Sequence, residues 1–298
     1  MLSFNKQTAS EMDLDVGEFG NDSENRLGQV LVDHGKIKER DIERILKYAR
    51  KKRLRFGEAA ARLRLISRTD LEHAMAAQFD YPYLEKGAGG YPGELVAAFK
   101  PFSPKGQALR VLCAQLLLRW HSDQRRSLAV VGSGFREGCS YIAANLAIVF
   151  SQLGHRTLLV DADLQNARQH KLFGIKNDVG LSAALVGRAS FESVVKKMVL
   201  FRDLSILPAG APPPNPAELL DRAELKDNMA WLRQHYEVVI FDTPPVSENL
   251  GIEAIAGACG SALAVFRKDY TRLGDAESLV QAIRSSGADV VGSVMNNF

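Results

Sequence analysis

Hydrophobic and polar positions follow two different rhythms along this chain, and the change falls near residue 107. From there on, six short apolar runs recur: SLAVVG (127–132), RTLLVDAD (156–163), LSILPAG (204–210), EVVIFDTPP (237–245), SALAVFR (261–267) and VVGSVMNNF (290–298). They are branched and nearly continuous, which predicts strands buried on both faces. Helix-like segments such as YIAANLAIVFSQLG (141–154) and AELKDNMAWLRQHY (223–236) separate them. Strands alternating with helices predict right-handed crossovers and an α/β fold with a parallel sheet, with ligands beyond the carboxyl ends of its strands.

The first third reads differently. RLGQVLVDHGKIKERDIERIL, starting at Arg26, is echoed by RFGEAAARLRLISRTDLEHAM, starting at Arg55, a period of 55 − 26 = 29 residues. Each copy has an amphipathic run, a break and a second helical run. In the second copy Ser67 precedes that helix with Asp70 three positions on, a variant of the capping box. One copy alone is too small to bury its apolar face, so two helical pairs are predicted to pack together. The stretch EKGAGGYPGE (85–94) has the composition of a linker. The expected partition is a disordered tail over 1–24, a mostly helical repeat domain over 25–84, a linker over 85–106 and the α/β domain over 107–298.

Composition narrows the function classes. With 38 basic and 35 acidic residues the net charge is +3, too weak for a general nucleic-acid binder. Cys113, Cys139 and Cys259 are widely spaced with no CxxC, so neither a disulfide framework nor a zinc site is expected, and a reducing cytoplasm fits. The acidic N-terminus lacks the pattern of a secretory signal, and no run reaches about 20 apolar residues, the length of a membrane span. Membrane association is therefore expected only peripherally, at the inner membrane through a partner. The basic run RKKRLR (50–55) reads as a solvated face that can also attract anions.

The chemistry gathers at three strand ends. After SLAVV comes GSGFREGCSY (132–141), where the backbone amides around Gly132, Gly134 and Gly138 can cradle phosphates at the start of a helix and Ser140 can offer a hydroxyl to magnesium. After RTLLV come Asp161 and Asp163, and after VVIF comes Asp242 with Thr243, Pro244 and Pro245; these carboxylates can hold magnesium or its waters. Singly, each reads as a turn or a cap. Their order on successive apolar runs predicts a P-loop nucleotide-binding domain.

GCSYIAANLAIVFSQLGHRTLLVDADLQNARQHKLFG, LPAGAPPPNPAELL and FDTPPV together resemble the bacterial tyrosine kinases of polysaccharide export, particularly the chain-length-determinant kinases of the EpsG type. The resemblance runs from about Pro101 to the C-terminus. It implies a P-loop fold of the MinD/ParA class, with ATP (or ADP) and Mg2+ as cofactors. Homo-oligomers and a partnership with the cytoplasmic tail of a membrane polysaccharide chain-length regulator also follow from it. Cofactor contacts then fall to Gly132, Gly134, Glu137, Gly138, Cys139, Ser140, Tyr141 and Asn296. Ser140, Asp161, Asp163 and Asp242 take the metal, and Asp161, Asp163 and Asp242 are the catalytic set, with Asp161 the candidate base.

Five positions depart from that family's pattern. Cys139 stands where a lysine meets the β and γ phosphates, and Gln165 where DxDxR has arginine. Gln107, Arg110 and Cys113 stand for the oligomerising ExxRxxR, and Phe135 and Arg136 for a Pro-Gly turn. The sequence ends in VMNNF, with no tyrosine cluster. Two expectations follow: a protein-tyrosine autokinase of exopolysaccharide export, or a catalytically impaired regulatory adaptor of the same machinery that responds to nucleotide or cyclic di-GMP.

The N-terminal repeat resembles the corresponding domain of MshE-type secretion and pilus ATPases, whose motifs can bind cyclic di-GMP. The positions carried over are Arg26, Leu27, Gly28, Leu31 and Gly35 in the first copy and Arg55, Gly57 and Gln78 in the second. Arginines and turn amides would hold the phosphates, and leucines would meet the guanines. Lys36, Ala49, Phe56 and Arg64 depart from that motif. The competing reading is a protein-docking domain.

Overall fold

The computed structural model describes residues 26–78, 83–84, 87–122, 126–221, 223–248 and 251–297, so the expected tail over 1–24 lies outside the described residues. The chain forms two compact units, Met1–Tyr81 and Pro82–Phe298.

Among its described residues the first unit has four helices: α1 (residues 26–33), α2 (Glu39–Lys52), α3 (Phe56–Arg62) and α4 (Arg68–Gln78). The 29-residue repeat is visible in its core. Leu27 and Phe56, Leu31 and Ala60, Ile37 and Ile66, and Ile45 and Ala74 are equivalent pairs, and all are buried. The capping box is reciprocal, with Asp70 N donating to Ser67 Oγ (3.1 Å) and Ser67 N donating to Asp70 Oδ2 (3.0 Å). Lys36 reaches Asp70 at 2.8 Å across the two copies. Burial works against the Asp70 charge, but the hydrogen bonds from Lys36 and Ser67 outweigh it and hold its pKa at about 2.

The second unit is built on a seven-stranded sheet in the order β3-β4-β2-β5-β1-β6-β7. Its strands are β1 (Ser127–Gly132), β2 (Thr157–Asp161), β3 (Lys196–Lys197), β4 (Leu204–Leu207), β5 (Val238–Asp242), β6 (Ser261–Arg267) and β7 (Asp289–Asn296). All six expected strands are present and mutually parallel. The sequence reading missed β3, which pairs antiparallel with β4 and makes the sheet mixed. Its two exposed lysines form too short a strand to leave any periodicity.

Alternate residues of each central strand feed two separate cores. Leu128 and Val130 pack under α6 (Pro104–Arg119) and α7 (Cys139–Gln152). Ala129 and Val131 pack under the helices Ala223–His235, Ile252–Cys259 and Leu273–Ser285. The distinctive segment PNPAELL (214–220) forms a short helix, Pro216–Leu220, which buries Leu219 and Leu220 in the second core.

The glycine-rich stretch read as a linker is instead part of the second unit. Leu84, Tyr91, Leu95 and the short α5 (Val96–Phe99) pack into its first core. The Tyr91 ring lies 5.5 Å from that of Phe201 and 6.5 Å from that of Phe173. Two buried polar side chains of α7 satisfy the backbone of this strap. Asn145 Oδ1 accepts from Ala97 N (2.8 Å) and its Nδ2 donates to Glu94 O (3.0 Å), while Gln152 Nε2 donates to Ala97 O (3.0 Å). Helix α6 also begins within the expected linker, at Pro104, capped by the Ser103 hydroxyl. The glycines serve local geometry: Gly87, Gly89 and Gly90 all have left-handed φ.

Candidate nucleotide and magnesium site

The parallel register sets the site. Asp161 on β2 lies beside Asp242 on β5, and Asp242 lies beside Val130 on β1. Three chain segments distant in sequence therefore end at one level, at the carboxyl edge of the sheet, where α7 begins. Thr243 Oγ1 donates to Val130 O (2.9 Å) and locks the end of β5 to the root of the glycine loop.

Asp161 Oδ2 accepts the backbone N–H groups of Arg168 (3.0 Å) and Gln169 (2.8 Å), the latter opening α8 (Gln169–Leu172). Asp242 Oδ2 accepts from Gln169 Nε2 at 2.8 Å, and the same amide nitrogen donates to Ser140 O at 3.1 Å. The second oxygens, Asp161 Oδ1 and Asp242 Oδ1, are buried without a protein partner. Burial, then the neighbouring Asp242 charge, pushes the Asp161 carboxyl well above the usual carboxylate range, against the two N–H donors. Burial raises Asp242 to about 7, opposed by the hydrogen bond from Gln169 and by the neighbouring Ser140 hydroxyl. Asp163, nearly buried, accepts from Asn166 N (2.8 Å), and burial raises it too.

Two buried carboxylate oxygens without partners, both shifted toward protonation, mark a place that lacks positive charge. A magnesium ion suits it, and Ser140 beside Asp242 adds a hydroxyl donor to the set. Among the described residues no three carboxylate, histidine or cysteine side chains are placed to cage a metal. An ion here would draw the rest of its shell from water and phosphate oxygens.

The glycine loop is braced from inside by Glu137. Its carboxylate accepts from Ser133 N (2.7 Å), Ser133 Oγ (2.6 Å), Gly134 N (3.1 Å) and the distant Thr271 hydroxyl. Gly132 is required by this arrangement: a Cβ there would stand 2.6 Å from Cys139 Sγ and 2.7 Å from Glu137 Oε2. The Cys139 thiol thus folds back over Gly132. Burial, then the charges of Asp242 and Glu137, raise its pKa well above the ordinary thiol value. Gly138, with φ 100°, turns the chain into α7, whose first N–H groups lack intrahelical partners, an arrangement that can receive an anion.

A cleft of about 910 Å³ opens at Gly138 and Tyr141, running toward Asn296 and the outer face of α6. Asn296, expected among the cofactor contacts, donates through Nδ2 to Glu137 O (3.1 Å) and so also braces the loop. Of the remaining departures, Gln165 is exposed, whereas Cys113 is fully buried in the first core, where an arginine would be left without water. Arg110 lies over the Phe102 ring at 5.9 Å. Sequence reasoning missed Gln169, which links Asp161, Asp242 and Ser140, and Thr271, which braces Glu137. Neither belongs to a motif.

The positions carried over for cyclic di-GMP all belong to the first unit. Leu27 and Leu31 are buried in the unit's own core rather than offered to a guanine. Gly28 and Gly57 serve close packing: a Cβ at Gly57 would come within 2.4 Å of Leu71, and one at Gly28 within 3.3 Å of Phe56. Gly35 (φ 67°) makes an exposed turn, and Arg26 and Arg55 are exposed. Gln78 ends α4, and its side chain lies outside the described residues.

Comparison with known proteins places the fold and the family. The family model described as an AAA domain matches residues 138–286. A putative tyrosine-protein kinase in the cps region of Klebsiella pneumoniae is 30% identical over 213 residues, 72% of this chain and 29% of the relative. The tyrosine-protein kinase YwqD of Bacillus subtilis is 30% identical over 202 residues, 68% of this chain and 85% of the relative. The kinase domain of the Escherichia coli tyrosine kinase ETK superposes with a TM-score of 0.65 at 27% identity, covering 68% of this chain and 79% of that one. The chain spans less than a third of the length of the Klebsiella relative.

Proposed function

Because the chain belongs to the bacterial tyrosine-protein kinase family, with a P-loop α/β domain as its second unit, we propose that this unit binds ATP with magnesium and transfers phosphate to tyrosine in exopolysaccharide synthesis. The observation that carries the proposal is the pair of buried, unpartnered oxygens, Asp161 Oδ1 and Asp242 Oδ1, beside Ser140 at the open start of α7. Ser140, Asp161, Asp163 and Asp242 would hold the ion, directly or through water. Magnesium there would neutralise phosphate charge. The N–H groups at the start of α7 would bind phosphate oxygens, and Glu137, tied to Thr271, holds the loop open for them. Asp161 would also serve as the base that takes the tyrosine hydroxyl proton.

Partners follow at the same level of proposal: other copies of the chain, and the cytoplasmic tail of a membrane chain-length regulator. Among the described residues no helix is long and apolar enough to cross a membrane. Magnesium-dependent turnover of labelled ATP by the wild type, lost in the Asp161→Ala, Asp163→Ala double variant, is the expected result. Equal turnover in both would overturn the assignment.

The reading of an impaired adaptor is favoured by one observation, the Cys139 thiol over Gly132 where the loop needs a cation. Under it, ATP binds and no phosphate moves. For the first unit, the buried leucines favour protein docking over a cyclic di-GMP site. Calorimetry with cyclic di-GMP is expected to show no heat at tens of micromolar protein, and saturable heat would reverse that preference.

A further inference from the structure

Cys139 supplies no positive charge in any protonation state, so a loop that binds ATP must find its cation elsewhere. Four basic side chains border the cleft at Gly138: Lys105, Arg136, Arg168 and Arg267. Two are committed. Arg168 Nη2 is paired with Glu94 Oε1 at 2.6 Å. Arg267 lies over the Tyr270 ring at 4.9 Å and donates through Nη1 to Arg136 O at 3.4 Å. Lys105 also borders the cleft, but from α6 rather than from the loop itself.

Arg136 differs from all three. It is the one basic residue of GSGFREGCS (132–140), and its exposed side chain borders the cleft two positions before Gly138. Among the described residues no carboxylate pairs with its guanidinium. Its backbone has φ 60°, a left-handed conformation that glycine adopts freely and that costs an L-residue energy. The carbonyl contact with Arg267 and the adjacent Glu137 brace hold it there. A strained arginine at the mouth of a loop whose own cation is missing points to a function for its side chain.

We propose that Arg136 is the phosphate-binding cation of this loop, and that the charge absent at position 139 has been relocated three residues upstream. The guanidinium meets the outer phosphate oxygens of a nucleoside triphosphate from the cleft side, while Cys139 only fills the space over Gly132. A planar guanidinium can bridge two oxygens, so the contact favours a triphosphate over a diphosphate. This rests on the reading of the site as an ATP–magnesium site.

The test is titration calorimetry with ATP–magnesium and ADP–magnesium on the wild type and four variants: Arg136→Gly, Lys105→Ala, Cys139→Lys and the Arg136→Gly, Cys139→Lys double variant. Glycine suits φ 60°, so Arg136→Gly is expected to melt no lower than the wild type, which separates lost binding from lost fold. Arg136→Gly is expected to weaken ATP about tenfold or more, the scale of one charged hydrogen bond, and ADP clearly less. Lys105→Ala changes neither, and the double variant recovers ATP affinity. If the wild type binds ATP and Arg136→Gly binds it equally well, or if Lys105→Ala is the variant that loses it, the relocated charge is refuted while the site stands. If the wild type fails to bind and only Cys139→Lys restores binding, the charge was lost rather than moved. Failure of every protein to bind overturns both readings.

Discussion

At the scale of single residues, the second unit carries a cost in its own carboxylates. Asp242 is buried with one oxygen unpartnered, and its folded pKa is raised to about 7, above the unfolded value. For a raised carboxyl, the stabilising contribution is complete below the unfolded pKa and is lost as pH rises through the folded value. The magnesium-free unit is therefore expected to melt at a lower temperature at pH 8 than at pH 5. Asp242→Asn is expected to reduce that slope, leaving the part due to Asp161 and Asp163, to raise metal-free stability at pH 8 by about 2 kcal/mol and to abolish stabilisation by magnesium. Thermal melts with and without the ion check all three. A second contrast concerns the repeat glycines: Gly57→Ala drives a methyl to 2.4 Å from Leu71, against 3.3 Å from Phe56 at Gly28. The first change is expected to cost about 1–3 kcal/mol by overpacking and the second less, measured by chemical denaturation.

Among the elements, the strap over residues 87–99 shows how composition can mislead. Glycines and a proline suggested a linker, but helix α7 carries Asn145 and Gln152 on buried positions that satisfy the strap's backbone. Asn145→Ala leaves the Ala97 N–H and Glu94 carbonyl without these partners and is expected to cost about 2–3 kcal/mol. It should also speed proteolytic cutting within 87–99, while a wild-type cutting rate would remove this anchoring role. The strands were legible because each carries its own apolar signal. The reciprocal cap at Ser67 and Asp70 was legible because its partners are three residues apart. Gln169 was not, because nothing within its own four-residue helix records that Asp242 lies against it.

For the whole molecule, each unit draws its core from its own residues. A chain begun at Pro82 is expected to fold, keep the sheet and bind ATP–magnesium within a few-fold of the full protein. A chain begun at residue 107, where the α/β pattern starts, would lack the strap and Ser103 and is expected to be markedly less stable. The sequence by itself determined the repeat, the six parallel strands, the glycine loop and the acidic strand ends, because periodicity, caps and loop composition act over a few neighbours. Tertiary structure alone decided that Asp161 and Asp242 stand side by side, that Thr271 and Asn296 hold Glu137, and that the strap belongs to the second unit. Those contacts join residues tens to more than a hundred positions apart. They are fixed by strand order and register and by the need of buried polar groups for partners, neither of which is written in any one stretch of the chain.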